Sequence, residues 1–144
     1  MKASFAPAPQ ARIVPQVASL TAAFLLIEQA RAGQAASRLR EAGQVLDLTV
    51  RELATLLGTT ERTLARRLQA NEALDKAESE RLLLLLRLAE HGRDVFEDQG
   101  KFNRWLRRPL ALLGEQPPLA LLDTTSGFQV VDDLLGRIEY GVFS

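Results

Sequence analysis

Apolar side chains recur along this chain every three or four residues, which is the period of an α-helix. The first clear run predicts a helix over about residues 16–32, where Leu20, Phe24 and Ile27 fall on one face and a glycine follows as a stop signal. The fifteen residues before it contain three prolines and no sustained period. We therefore expect residues 1–15 to form a flexible arm.

The stretch "LTVRELATLLGTTERTLARRL" contains two short helical patterns on either side of a glycine. Thr49 and Glu52 have the spacing of a capping box, which predicts that a helix begins at Val50. Gly58 permits the positive φ of a tight helix exit, and the two threonines after it can cap the next helix at once. Two short helices joined in this way form a helix-turn-helix, here at about residues 49–70.

The remaining pattern is also helical. A short helix is predicted over about residues 34–42 with a glycine as its stop, and a long helix is predicted over about residues 76–95. The long helix is apolar on nearly all sides, so the rest of the domain or a second subunit must cover it. The last part, residues 99–144, is broken by prolines and glycines into three short helical stretches. The expected fold class is all-α, with a helical domain over residues 16–98 that contains the helix-turn-helix, followed by a small helical domain.

Nine apolar positions in the last domain are interpreted as core positions rather than as partner contacts. They are Trp105, Leu112, Leu113, Leu119, Leu122, Val130, Val131, Leu134 and Leu135. Asp123 and Thr124 are interpreted as a turn or cap before the last helix.

The composition leaves little material for catalysis. The 144 residues include no cysteine and a single histidine, His91, interpreted as a partly exposed residue near a helix end. Thiolate zinc sites and cysteine nucleophiles are excluded. Asp132 and Asp133 are adjacent and therefore diverge by 100° on a helix, so we interpret them as a solvated face rather than a catalytic pair. We expect no enzyme activity, no cofactor and no metal site.

Membrane insertion and export are not expected either. The longest apolar runs, "AAFLLI" and "LLLLL", are far shorter than the roughly 20 residues that span a bilayer. Prolines interrupt the N-terminal region, and no clean signal-peptide cleavage site follows it. The absence of cysteine fits a reducing compartment, and we expect a cytoplasmic location.

The helix after Gly58 carries a candidate DNA-reading face. If Leu64 and Leu68 anchor this helix, Arg62 and Arg66 point most directly away from the core. Arginine has a planar fork that can hold a phosphate or the edge of guanine. The candidate DNA contacts are Thr59, Thr60, Arg62, Thr63, Arg66, Arg67 and Gln69. The alternative is a solvated helix face on which arginine serves solubility.

Net charge limits the expected affinity for DNA. The chain has 18 basic and 18 acidic residues, so it attracts DNA weakly from a distance. The charge is uneven, since residues 99–109 have four basic and no acidic side chains, and residues 110–144 have one basic and five acidic ones. Binding to double-stranded operator DNA is therefore expected to need a homodimer on a two-fold site.

The segment from Trp105 onward has an ordered series of motifs: "WL" followed by "P", then "LLG", "PLALLDT", "G", "V", "LL" and "RIEYGV". It resembles the toxin-binding domain of the Xre/MbcA/ParS antitoxin family. The segments "RTLARRL" and "ESERLLLLLRL" resemble the helix-turn-helix that precedes this domain in Xre-type members. Two positions depart from the family pattern: Leu110 follows Pro109 where asparagine is common, and Glu115 follows Gly114 where a second glycine is common.

The resemblance implies an antitoxin of a bacterial type II toxin-antitoxin pair that binds a RES-domain toxin, which consumes NAD, and represses its own operon through its N-terminal part. A larger toxin-antitoxin complex is also expected. In the family the C-terminal end of the chain lies at or in the active-site cleft of the toxin. The residues that take this role here are Arg137, Ile138, Glu139, Tyr140, Gly141, Val142, Phe143 and Ser144.

The chemistry of this end is compatible with a plug in the toxin's NAD site. Tyr140 and Phe143 are large anchors, Gly141 permits a sharp turn, and the carboxylate of Ser144 adds a negative charge that a phosphate pocket would accept. The alternative is that Ile138 and the two aromatic residues close the small C-terminal core. Two other function classes remain open: a repressor without a toxin partner, and an interaction module that no longer binds DNA.

Overall fold

The structure, a computed structural model, describes the backbone of residues 10–141 and the side chains from Leu20 onward in this range. It contains seven α-helices: α1 (Gln10–Ala32), α2 (Ser37–Leu46), α3 (Val50–Leu57), α4 (Glu61–Ala70), α5 (Lys76–Phe96), α6 (Gln99–Leu106) and α7 (Thr125–Glu139). Two 3-10 turns, Ala111–Leu113 and Pro118–Leu121, connect α6 to α7. Between residues 10 and 141 there is no strand, only two isolated bridges, and the predicted all-α class is confirmed.

The long helix α5 is the centre of the fold. Helices α1, α2, α3, α6 and α7 all pack against it. Leu82, Leu85 and Leu88 are buried on it, which explains why its sequence is apolar on nearly all sides. The buried side chains form one continuous cluster from α2 to α7, so the two halves of the chain share a core. None of the helices between residues 10 and 141 is long and apolar enough to cross a membrane.

The first helix is longer than predicted. It begins at Gln10 rather than at residue 16, so residues 10–15 of the expected arm are helical. Pro15 lies inside this helix and does not stop it, although proline has no N–H to donate to the helix at this position. The expectation for residues 1–9 lies outside the described residues.

The second helix also differs from the prediction, which placed it over residues 34–42 with Gly43 as its stop. The helix runs from Ser37 to Leu46, with Gly43 inside it, and ends at Asp47 in the left-handed conformation (φ 56°). A Cβ atom at Gly43 would lie 3.2 Å from Cδ1 of Leu53. The glycine therefore permits close packing between α2 and α3 and is not a helix stop.

The last domain contains two α-helices and two 3-10 turns in place of three short helices. The predicted cap is confirmed, because the Thr124 hydroxyl accepts a hydrogen bond from the Gly127 amide at 3.0 Å. Seven of the nine predicted core positions are buried or partly buried: Trp105, Leu113, Leu119, Leu122, Val131, Leu134 and Leu135. The prediction is wrong for Leu112 and Val130, which are exposed. Leu112 is the middle residue of a three-residue turn, and Val130 is on the outer face of α7.

Candidate functional site

The helix-turn-helix has the predicted boundaries. The Thr49 hydroxyl accepts a hydrogen bond from the Glu52 amide at 3.1 Å and begins α3. Gly58 ends that helix with φ 73°. The Thr60 hydroxyl then accepts from the Thr63 amide at 3.1 Å and begins α4. The turn between the two helices can be short because local caps, at Gly58 and Thr60, provide hydrogen-bond partners for the backbone groups at the end of α3 and the beginning of α4.

One half of the predicted capping box is wrong. The carboxylate of Glu52 does not return to the backbone of Thr49 but pairs with both terminal nitrogens of Arg107, at 3.0 and 2.8 Å. The hydrogen bond to Glu52 is the main reason that the pKa of Arg107 is raised. This contact joins the end of α6 to the first turn of α3. Nothing in the local sequence could predict it, since the two residues are 55 positions apart.

The predicted orientation of α4 is confirmed. Leu64 and Leu68 are buried against the core, whereas Arg62, Arg66 and Gln69 are exposed on the outer face. The carboxylate of the first-turn residue Glu61 lies 3.9 Å from Arg51, and the exposed Arg66 lies 3.0 Å from Glu72. Surface ion pairs of this kind contribute little, so a phosphate can replace the carboxylate beside Arg66 at small cost.

The third arginine of α4 has a different environment. Arg67 turns toward α5 and pairs with Glu78, and the side chains are 25% and 10% exposed. This hydrogen bond is the main reason that the pKa of Arg67 is raised. The other carboxylate oxygen of Glu78 accepts from the Asp75 amide at 3.0 Å, which completes a capping box at the beginning of α5. The fork of Arg67 therefore holds α4 on α5, and it does not share the outward direction of Arg62.

The three threonines at the beginning of α4 differ in exposure and in their contacts. Thr59 and Thr63 are half-buried, and Thr60 is exposed. The Thr60 hydroxyl donates to the Thr63 hydroxyl at 2.9 Å while it caps α4. Of the seven candidate DNA contacts, four are exposed: Thr60, Arg62, Arg66 and Gln69.

The end of α7 is the second candidate region. Arg137, Glu139, Tyr140 and Gly141 are exposed, while Ile138 is partly buried against the core. Tyr140 is 80% exposed, the highest fraction among the large exposed hydrophobic residues of the described chain. Closure of the C-terminal core, the alternative for this end, thus applies to Ile138 but not to Tyr140. The expectations for Val142, Phe143 and Ser144 lie outside the described residues.

His91 holds this end of α7 against α5. Its Nδ1 lies 2.7 Å from Asp132 Oδ1, and its Nε2 lies 3.1 Å from Glu139 Oε2. Burial is the largest single influence and lowers the pKa of His91, but the hydrogen bonds and charges of the two carboxylates together raise the pKa above its ordinary value. Asp132 is thus more than a solvated residue, which the sequence could not show. Between residues 10 and 141, no cluster of three histidine or acidic residues could hold a metal ion.

This architecture is that of a helix-turn-helix unit followed by a small helical unit, and family comparisons agree with it. The antitoxin Xre-like helix-turn-helix domain matches residues 25–87. The antitoxin Xre/MbcA/ParS C-terminal toxin-binding domain matches residues 91–141. Together the two matches extend from α1 to the end of α7, and only residues 88–90 of α5 lie between them.

The chain is also similar to individual antitoxins. The antitoxin Xre of Yersinia enterocolitica is 37% identical over 94 residues, which are 65% of this chain and 64% of that protein. The Prs ADP-ribosylating antitoxin of Sphingobium sp. is 31% identical over 121 residues, 78% of this chain and 76% of that protein. This chain therefore belongs to the Xre/MbcA/ParS antitoxin family, although it spans slightly under two thirds of the Yersinia protein.

A solved structure shows the same fold. A chain in the crystal structure of the M. tuberculosis MbcT-MbcA toxin-antitoxin complex is similar to this one with a TM-score of 0.59 and 26% sequence identity. The match covers 76% of this chain and 96% of that chain.

Proposed function

We propose that this protein is the antitoxin of a toxin-antitoxin pair, in which the end of α7 blocks the active site of a RES-domain, NAD-consuming toxin. The observation that carries the proposal is the exposure of this end. One face of α7 is buried in the core through Phe128, Val131 and Leu135. The side chain of Tyr140, in contrast, is 80% exposed. A firmly held helix that ends in an exposed aromatic residue has the form of an anchor for a partner pocket.

The chemistry of the segment supports a plug. Gly141 has φ 67°, which turns the chain sharply after Tyr140. The exposed guanidinium of Arg137 lies one helical turn before Tyr140 and offers a cation at the rim of the contact. Residues 140–144 then compete with NAD for the toxin's cleft. Such a complex would act in the cytoplasm, where NAD and the operator are both present.

The test is an NAD-depletion assay with the purified RES-domain toxin encoded beside this gene. Tyr140→Ala is expected to weaken toxin binding by about 30-fold or more, the effect of losing an aromatic hot spot. The matched control is Leu112→Ala, because Leu112 is a similarly exposed hydrophobic residue outside α7. Removal of residues 140–144 should abolish protection of NAD. If the shortened chain folds and still protects NAD, the plug is wrong.

We also propose that the helix-turn-helix represses the protein's own operon, with α4 in the major groove of a two-fold site bound by two copies. Arg62 and Arg66 support this proposal because both are exposed on the outer face of α4, and Gln69 can add a hydrogen bond. Arg67 is left out of the contact set because Glu78 occupies its fork.

Operator binding tests this second role. Arg62→Ala or Arg66→Ala should lower affinity. If the arginine contacts a phosphate, the slope of log affinity against log salt should fall by about one unit per contact per copy. Arg93→Ala, an exposed arginine in the last turn of α5, should leave the slope unchanged. Equal effects of all three substitutions would assign the DNA contact elsewhere.

A further inference from the structure

Helix α1 leaves its most apolar row uncovered. Phe24 is 64% exposed and Leu20 is 59% exposed, and Ile27 continues the row one turn later. The helix packs on α5 through another side, where Ala30 is buried and Leu26 is half-buried. This row is the set of side chains whose shared face predicted the helix, yet no part of the described chain covers it.

The spacing of the row is that of a helix-to-helix seam. Leu20, Phe24 and Ile27 are separated by four and three residues, the alternation that places side chains on the seam of a coiled coil. Arg31 follows four residues later and ends the apolar row. In the sequence the same alternation continues backward to residues 17 and 13, which are valine and isoleucine. The 23-residue helix is about 34 Å long, so it can accommodate such a seam.

We propose that this row is the interface between two copies of the chain, in which the two α1 helices pack antiparallel about a two-fold axis between Leu20 and Phe24. In this arrangement Leu20 of each copy packs on Phe24 of the other. A parallel pair would instead place the two Arg31 guanidinium groups in one layer, where like charges repel. The charge at the end of the row therefore favours the antiparallel arrangement.

The exposed area fits a second copy. The uncovered parts of the row amount to on the order of 300 Å² per chain, a size at which an apolar patch on a monomer marks an interaction site. Two copies would cover roughly 600 Å² from these side chains alone, against about 1,600 Å² for a stable interface of standard size. The polar flanks and the other turns of α1 would contribute the remaining area.

The inference rests on the proposed function only where it concerns DNA, since two copies bring two α4 helices to a two-fold operator. Self-association itself depends on α1 alone. Sedimentation equilibrium of the full chain at micromolar concentration is expected to show a dimer. Phe24→Glu should raise the dimer dissociation constant at least 30-fold. The matched control is Leu112→Glu, since Leu112 has 61% of its surface exposed and lies outside α1. It should remain dimeric.

Charge exchange tests the orientation and guards against misfolding. Leu20→Glu and Phe24→Glu alone should each give a folded monomer by circular dichroism. The double variant Leu20→Glu with Phe24→Lys should dimerise more tightly than Leu20→Glu with Phe24→Glu, because only the first places opposite charges side by side across an antiparallel pair. A parallel pair would place like charges together in both variants. Equal dimer dissociation constants for the two double variants overturn the antiparallel seam.

Other outcomes separate this inference from the proposed function. A dimer that persists in Phe24→Glu overturns the α1 interface and leaves the toxin assay unaffected. A monomeric wild-type chain whose α1 row becomes protected only with toxin assigns the face to the toxin, which also overturns the inference. A dimer that dissociates as expected, but protects no NAD and binds no operator, supports the interface and contradicts the proposed function.

Discussion

The outward face of α4 and the end of α7 are held in place by different kinds of contact. Leu64 and Leu68 bury the inner face of α4 in the core, and the ion pair of Arg67 with Glu78 joins α4 to α5. The guanidinium is charged at any relevant pH. The end of α7 is instead fixed by Ile138 and by His91, a group that titrates near neutral pH.

This difference suits the two proposed tasks. A helix that reads DNA binds more tightly when its side chains are already in place, because less conformational freedom is lost on binding. The segment proposed to enter a cleft already has an exposed side chain, Tyr140, at its end. The pair of His91 with Glu139 beside it is more exposed than the pair of Arg67 with Glu78 that holds α4.

The largest effect on stability is expected for a substitution at the beginning of α7, the end opposite to Tyr140. A Cβ atom at Gly127 would lie 1.5 Å from the carbonyl oxygen of Leu121, so Gly127→Ala must displace backbone. We expect a loss of about 3 kcal/mol or more of unfolding free energy in denaturant titrations. Gly136→Ala is the control within the same helix, because its Cβ meets no atom within 4 Å. It should be neutral or stabilising by up to about 1 kcal/mol. Equal stability of the two variants would refute the tight anchoring of α7.

Substitutions of Arg67 and Arg66 should have different effects on protein stability and on DNA binding. Arg67→Ala leaves the nearly buried Glu78 carboxylate without its charge partner, which we expect to cost about 2 kcal/mol of unfolding free energy. Arg66→Ala removes an exposed pair and should cost less than about 0.5 kcal/mol. Operator affinity should show the reverse order when both variants are measured below their unfolding transitions. The same order in both measurements would contradict the division of roles.

Weakening the contact between Arg107 and Glu52, which joins the two halves of the chain, should have a smaller effect on stability. Arg107→Lys replaces a fork that holds both oxygens of Glu52 by a single ammonium group. Because the Arg107 side chain is 40% exposed, we expect a loss of no more than about 1 kcal/mol in denaturant titrations. Arg108→Lys, at the neighbouring exposed position, should be neutral. A larger loss at Arg108 would mean that α6 is held to the helix-turn-helix in another way.

The smallest effect concerns pH. The folded-state pKa of His91 is raised above the unfolded value of about 6.5. The stabilisation by His91 is therefore complete below about pH 6.5 and is lost as pH rises through the folded-state pKa. We expect the unfolding free energy to fall by a few tenths of a kcal/mol over this range.

His91→Gln is expected to flatten the decrease, and nuclear magnetic resonance can follow the chain's single imidazole directly. Asp132 and Glu139 contact the ring, while Arg87, Glu90 and Asp94 line the same surface pocket. Unchanged pH dependence in His91→Gln would show that another group causes the decrease.

Local chemistry explains why the helix-turn-helix could be predicted well. Thr49, Gly58 and Thr60 act through hydrogen bonds and φ angles within three or four residues, so their effect is visible in a short stretch of sequence. The same holds for the long helix, which was predicted over residues 76–95 and ends one residue later, at Phe96.

The wrong predictions are caused by contacts between residues that are far apart in the sequence. Gly43 lies inside α2 and allows Leu53, from the next helix, to come closer than a Cβ atom would permit. Local rules describe a glycine near a helix end as a stop, and they contain no information about a neighbour ten residues away. Glu52 illustrates the same limit, since its partner Arg107 belongs to the other half of the chain.

The sequence by itself determined the all-α class, the helix-turn-helix, the long helix α5, the caps of α3, α4 and α7, and the outward direction of Arg62 and Arg66, because each follows from interactions between near neighbours. Only the tertiary structure decided which charged groups remain available. It placed Glu78 beside Arg67, Asp132 and Glu139 around His91, and left Phe24 and Tyr140 uncovered. Burial and charge pairing depend on which distant segments meet, and a helical period specifies only that one face must be covered.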